Sequence, residues 1–188
     1  PEKDKPYYSE SVIYLPHSYQ VNDDTRVISD RTTTKFAMRL PEHGFVFCCF
    51  NQNYKISPAE FNIWMRLLGK VDGSVLWLLK SNKWAESNLR VEAEKRGVSG
   101  DRLIFAEKLP QAEHLARQKL ADLFLDTFNV NAHTTASDAL WAGLPVVTTD
   151  RSMPRTATTQ SWNRRTVVGL GSRTPGPLSS LTRPMWGW

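Results

Sequence analysis

Leu123-Phe124-Leu125-Asp126 runs, five residues on, into Asn131-Ala132-His133-Thr134-Thr135-Ala136-Ser137-Asp138-Ala139-Leu140-Trp141-Ala142-Gly143-Leu144-Pro145. The first stretch is a short apolar run that reads as a buried strand. The second reads as a loop bearing a histidine, then a helix that opens on two threonines and stops at Gly143, with Pro145 just beyond. The first turn of a helix leaves N–H groups without intrahelical partners and carries partial positive charge, which suits a phosphate. Thr134 and Thr135 add hydroxyls there and His133 adds a ring N–H. Strand, loop and helix N-terminus in this order predict a phosphate-binding position at the carboxyl end of a parallel strand.

Working outward, the same alternation recurs. Phe45-Val46-Phe47-Cys48-Cys49-Phe50 is a continuous apolar run, as expected of a strand covered on both faces. Ser57-Pro58-Ala59-Glu60 is a helix start, with Ser57 as N-cap, Pro58 in the first position and Glu60 closing a capping box. Phe61, Trp64, Met65 and Leu68 then share one helical face. Asp72-Gly73 turns the chain into a strand at 74–79, a helix is expected from Asn88 to Arg96, and Leu103-Ile104-Phe105 makes a third strand. A short helix from Gln111 to Lys119, the strand 123–125, the helix 134–142 and a strand at 145–148 complete the series. Strands alternating with helices at this spacing predict an α/β fold with a parallel sheet and right-handed crossovers. Trp64, Trp77 and Trp141 fall at apolar-face or strand positions and are expected in the core.

The chain has 188 residues and a formal net charge of +5. Six arginines, with no Asp, Glu, Lys or His, lie in residues 151–188, so residues 1–150 hold 18 basic against 19 acidic residues. The basic balance belongs to the tail, and the folded body lacks the interleaved basic and aromatic pattern of a nucleic-acid binder. Cys48 and Cys49 are adjacent, point to opposite faces of a strand and cannot pair with each other. No metal-ligand spacing, Ser-His-Asp order or Walker loop is present. No apolar segment follows the charged amino terminus as a signal peptide would require, and none approaches membrane-span length. A reducing, cytoplasmic setting without membrane attachment is expected.

Tyr8-Ser9-Glu10, Tyr14-Leu15-Pro16, Ser18-Tyr19-Gln20-Val21-Asn22-Asp23, Phe45-Val46-Phe47-Cys48-Cys49-Phe50-Asn51-Gln52 and Tyr54-Lys55-Ile56 occur in this order. They are followed by Ser74-Val75-Leu76-Trp77-Leu78-Leu79, Arg102-Leu103-Ile104-Phe105-Ala106, Glu113-His114-Leu115-Ala116-Arg117 and the histidine–threonine segment. Together these motifs, over about residues 7 to 149, resemble the C-terminal catalytic region of protein O-GlcNAc transferases and SPINDLY-like glycosyltransferases, glycosyltransferase family 41. The resemblance implies the C-terminal, Rossmann-like half of a GT-B glycosyltransferase, the half that grips the nucleotide of the donor. It divides the chain into a remnant of the N-terminal catalytic half and connector at 1–40, a UDP-sugar-binding domain at 41–149, and an atypical basic Ser/Thr/Arg/Pro/Gly tail at 150–188. The tail shows none of the glycine loop or arginine-bearing helix that the family pattern would continue with. It is expected either to be frameshifted or otherwise replaced and disordered, or to be a divergent genuine ending.

Site residues follow from the same resemblance. His133, Thr134 and Thr135 match the trio that contacts the diphosphate of UDP-GlcNAc; without it they would read as a loop histidine and an N-cap. Asp138, one turn on, matches an aspartate of the donor site. Gln52 and Lys55, just past the first strand, match residues that reach the diphosphate. Lys55 is the expected catalytic residue, because a cation beside the leaving diphosphate stabilises charge that develops as the glycosidic bond breaks. His114 and Arg117, three apart on one helix face, match a histidine that stacks on uracil and an arginine that bonds its edge. Leu109 matches a residue whose backbone holds the base. Gln111 stands where animal enzymes carry a lysine near the ribose. His17 and His43 are assigned no role.

The reaction implied is transfer of GlcNAc from UDP-GlcNAc to Ser or Thr of proteins, with no metal or other cofactor. The acceptor-positioning histidines and the TPR region that engages protein acceptors lie upstream in the family. The isolated chain is therefore expected to hold nucleotide-site residues but little activity. Two alternatives remain open at the level of sequence: a related transferase using GDP-fucose or UDP-glucose, and an inactive nucleotide-binding fragment.

Overall fold

In the computed structural model, the described residues are 2–11, 13, 22–149 and the backbone of 165–168. His17 and most of the tail, 150–164 and 169–188, lie outside them. The described residues fall into two compact units, those up to Thr25 and those from Arg26 onward. The first contains a 3-10 helix at Glu2–Tyr7.

The second unit is built on one six-stranded sheet among the described residues. Its strands are β1 (Val46–Cys49), β2 (Val75–Leu79), β3 (Leu103–Ala106), β4 (Leu123–Leu125), β5 (Val146–Thr149) and β6 (Arg165–Val168). The spatial order is β3-β2-β1-β4-β5-β6. β1 to β5 are mutually parallel, with Cys48 opposite Trp77 on one side and Phe124 on the other. β6 alone runs antiparallel, pairing Val146 with Val168. The order reverses between β1 and β4, the crevice where open parallel sheets bind ligands at their carboxyl ends.

Among the described residues four α-helices connect the strands: α1 (Pro58–Lys70), α2 (Lys83–Glu94), α3 (Gln111–Arg117) and α4 (Thr134–Trp141). α1 starts as expected, with Glu60 accepting from the Ser57 N–H at 2.8 Å and from its hydroxyl. Its apolar stripe, Phe61, Trp64, Met65 and Leu68, is buried. α2 begins five residues earlier than its apolar periodicity announces. The Asn82 side chain caps it, accepting from the Ala85 N–H at 2.8 Å, and this local polar bond rather than core packing sets the boundary. α3 ends at Arg117 and tightens into a 3-10 turn at Gln118–Leu120.

Each face of the sheet carries its own core. Cys48, Trp77 and Phe124 pack on one side with Leu40 and Ala139, and Cys49, Leu76 and Leu78 pack on the other with the α1 stripe. The two thiols are accordingly free, fully buried and on opposite faces. Burial raises both, Cys49 to about 12. Trp64 and Trp77 are core residues, as expected. Trp141 is only half-buried, because its indole N–H reaches the Arg26 carbonyl at 3.2 Å instead of the sheet.

Residues 26–31 strap across two helices. The Ser29 N–H donates to the Ala112 carbonyl at 3.0 Å, Arg31 pairs with Glu113 at 3.1 Å, and Arg26 pairs with Asp138 on α4. The strap therefore ties α3 to α4, the two helices that carry most of the candidate site.

Arg102 fastens the far end of the sheet. Its guanidinium donates to the Leu68, Val71 and Ser74 carbonyls at 2.7–3.0 Å, closing the carboxyl end of α1 where unpaired carbonyls and the helix dipole favour a cation. Arg102→Met is expected to cost about 2 kcal/mol and to lower the melting temperature by about 4–8 °C. An unchanged melt would show that water replaces the guanidinium without loss.

Candidate functional site

The carboxyl ends of β1, β4 and β5 converge on one polar cluster. Asn51 leaves β1 with its side chain buried; its amide donates to Asp126 at 3.1 Å and to the Thr127 hydroxyl at 2.9 Å. In return its carbonyl oxygen accepts from the Thr135 hydroxyl in the first turn of α4. The strand end that leads to Gln52 and Lys55 is thus joined to the helix start that carries the two threonines.

His133 is the N-cap of α4, exposed, and its carbonyl accepts the first helical bond, from the Ser137 N–H at 3.0 Å. Thr134 is exposed and Thr135 half-buried. Because the Thr135 hydroxyl hydrogen is spent on Asn51, what Thr135 can still give an anion is its backbone N–H. Gln52 is exposed at the edge of the 3-10 turn Asn53–Lys55; its carbonyl accepts from the Lys55 N–H at 3.0 Å and its side chain does not cap the turn. Lys55 closes the turn, half-buried, and no carboxylate among the described residues pairs with it. Its positive charge is felt at Cys49, inside the end of β1.

Asp138 is placed differently from a free donor-site carboxylate. It is buried, at 7% exposure, and paired to Arg26, whose guanidinium also lies 5.5 Å from the Trp141 ring centroid. Burial raises its carboxyl above the usual value, and Arg26 pulls it part of the way back.

α3 holds the second group. Arg117 is 1% exposed, with its guanidinium over the Phe50 and Trp77 rings at 5.0 and 5.7 Å. It donates to the Glu107 carbonyl at 2.5 Å and, through Nε and Nη2, to His114 Nδ1 at 3.1 and 2.6 Å. A guanidinium cannot accept, so Nδ1 must, and the imidazole proton sits on Nε2. The His114 ring packs against Phe50 at 5.1 Å. Arg117 therefore supports the histidine from beneath rather than presenting its own edge to solvent. Leu109 is half-buried and Gln111 is the exposed first residue of α3.

Burial, with the Arg117 charge beside it, lowers the His114 imidazole to about 4. Above pH 6.5 both folded and unfolded chains are neutral here, and the stability gained is fully present. As pH falls, the unfolded chain takes up a proton that the folded protein refuses, so stability declines until about pH 4 and then levels. The loss is on the order of 3 kcal/mol. His114→Gln, which keeps an acceptor for Arg117, should flatten that part of the stability–pH curve; an identical slope in the variant would contradict the assignment.

A cavity of about 670 Å³ opens elsewhere, lined by Phe36, Leu40, Val75 and Ile104 at the amino ends of β2 and β3. It lies at the edge of the sheet opposite the converging polar groups and brings no helix N-terminus to bear, so the site is placed at the carboxyl edge. Among the described residues no three His, Cys, Asp or Glu side chains are grouped to hold a metal ion. No helix among them is long and apolar enough to cross a membrane.

A parallel sheet with flanking helices, whose strand ends and α4 N-terminus meet at the switch point, defines the Rossmann-like half of a GT-B glycosyltransferase. The chain belongs to glycosyl transferase family 41, whose family model matches residues 27–163. It is 42% identical over 146 residues to the probable UDP-N-acetylglucosamine–peptide N-acetylglucosaminyltransferase SEC of Arabidopsis thaliana, covering 75% of this chain and 15% of that protein. It is 40% identical over 116 residues to the UDP-N-acetylglucosamine–peptide N-acetylglucosaminyltransferase of Caenorhabditis elegans, covering 62% of this chain and 10% of the relative. The structure of an O-GlcNAc transferase mutant from Thermobaculum terrenum superimposes with a TM-score of 0.54 at 34% identity, over 56% of this chain and 21% of that one. The chain thus spans about a seventh or less of the curated relatives it matches.

Sequence reasoning missed Asn51, Asp126 and Arg26. Asn51 and Asp126 stand inside quoted motifs as plain polar residues beside apolar runs; the partners of Asn51 lie 75 or more positions away, and Asp126 joins Asn51 to its own neighbouring loop and to Thr148. Arg26 is separated from Asp138 by 112 positions.

Proposed function

We propose that this chain is the donor-binding part of a protein O-linked N-acetylglucosaminyltransferase, transferring GlcNAc from UDP-GlcNAc to Ser or Thr of proteins. The observation that carries the reading is the junction of Asn51 with Thr135. It joins the residue that precedes the Gln52–Lys55 turn to the first turn of α4, which supports a position at the carboxyl edge of the sheet that the Lys55 ammonium and backbone N–H groups would flank. A diphosphate there would meet N–H donors, the His133 ring and the Lys55 charge. His114, neutral and braced by Arg117, offers a flat ring for the base. Leu109 and Gln111, at the start of the same helix, border the base and ribose. Asp138 supports α4 through Arg26.

Protein acceptors would be engaged outside this chain, through an upstream TPR region, and a reducing, cytoplasmic setting fits two buried free thiols. Residues 1–40 read as connector, 41–149 as the donor domain and 150–188 as an atypical ending. The test is turnover of UDP-GlcNAc with a Ser/Thr peptide, by this chain and by a longer polypeptide that adds an upstream catalytic half. Transfer by the longer protein, with little by the chain alone, is expected. Hydrolysis or transfer of another sugar by the longer protein would overturn the reading.

A further inference from the structure

We propose that Asp126 is the positioning residue of the phosphate end of the site, acting through the loop 127–133 and the first turn of α4; this rests on the nucleotide reading above. Asp126 stands one residue past β4 and is 3% exposed. Its carboxylate accepts five hydrogen bonds. Oδ1 takes the Asn51 amide at 3.1 Å and the Thr127 and Ala132 backbone N–H groups at 2.7 Å each. Oδ2 takes the Asn131 amide at 3.1 Å and the Thr148 hydroxyl at 2.6 Å.

These donors come from three strand ends and from both ends of one loop. Thr127 and Ala132 N–H are drawn to the same oxygen, which cinches the loop at its base, and Thr127 closes it again by donating to the Val130 carbonyl at 2.7 Å. His133 follows Ala132 directly. Asn51, held by the same carboxylate, receives Thr135. The two ends of the His133–Thr135 segment are therefore both referred to one buried carboxylate, whose five bonds all go to protein donors.

Only an ionised carboxylate accepts at both oxygens without donating. An asparagine at 126 would point an N–H₂ at the Asn131 amide or at the backbone N–H pair, and the loop would have to shift to relieve it. Displacement by about 1 Å of groups that grip a ligand costs on the order of 10²-fold in a preorganised site. Among the described residues no hydrogen bond joins α3, the base end, to this cluster; the His114 ring packs on Phe50, which precedes Asn51. The proposal thus separates phosphate affinity from nucleoside affinity, which a general loss of fold would not do.

The experiment is NMR titration of uridine and of UDP into this chain, its Asp126→Asn variant and its Thr148→Val variant, well below their melting temperatures. Thr148→Val keeps the shape of the residue and removes one donor to Oδ2. Asp126→Asn is expected to weaken UDP by about 10- to 100-fold with uridine affinity held within about twofold, and Thr148→Val to weaken UDP by a few-fold with uridine unchanged. Equal weakening of both ligands, or unaltered UDP binding by the folded variants, would overturn the proposal. Should Asp126→Asn fail to fold, Thr148→Val decides alone, and unchanged UDP affinity in it counts against the proposal. If the unaltered chain binds UDP no better than uridine, the phosphate site itself is refuted, and the role of Asp126 falls with it.

Discussion

Replacing Lys55 by alanine is expected to lower turnover by about 10²–10³-fold in a polypeptide that carries this chain with its upstream catalytic half. The diphosphate of the donor is already charged in the ground state, and it gains a further charge on the leaving oxygen as the glycosidic bond breaks. A cation fixed at that oxygen binds the second state more strongly than the first, so its loss appears mainly in kcat. Lys55 suits the role because it closes a short turn on the end of β1 and no carboxylate among the described residues neutralises it. Lys55→Arg should recover part of the loss, since charge returns without the compact ammonium geometry. Steady-state kinetics decide the matter. A variant whose KM rises while kcat holds would make Lys55 a binding residue only.

Arg26→Met should be the most damaging single change to stability, at about 3–5 kcal/mol. The guanidinium and the Asp138 carboxylate are both about nine-tenths buried, and truncating the arginine strands an anion that burial already disfavours. The strap would also lose its stacking on Trp141. Removing both charges, in Arg26→Met/Asp138→Leu, should restore much of the loss, because the cost lies in the unpaired charge more than in the missing bond. Denaturant unfolding of the two variants measures it. A loss below about 1 kcal/mol in Arg26→Met would mean that water reaches Asp138 and the strap is only loosely held.

The two predictions concern residues of unequal legibility. β1 to β4 are readable because each is an unbroken apolar run in a covered part of the sheet; the α1 start is readable because Ser57, Pro58 and Glu60 act within four positions of one another. The start of α2 depends on one asparagine bond and leaves no apolar signature. Lys55, His114 and the His133–Thr135 segment are candidates because they sit in motifs shared with a family. Asn51 and Arg26 act through partners that are distant in sequence and meet only in the folded chain, and Asp126 draws those distant groups and its own following loop onto one carboxylate, which no apolar pattern marks. The structure also shows the protein contacts of two residues of the motifs. Arg117 braces His114 from within the core, and the Thr135 hydroxyl turns inward to Asn51.

The central claim is that the carboxyl edge of this sheet holds a uridine diphosphate. Thermal melts of the chain with UDP, with GDP and without ligand test it most directly. At about 100 times its Kd, UDP should add roughly 2.7 kcal/mol and raise the melting temperature by roughly 5–10 °C, with GDP leaving it unmoved. A cooperative melt that UDP does not shift, or that only GDP shifts, would contradict the account.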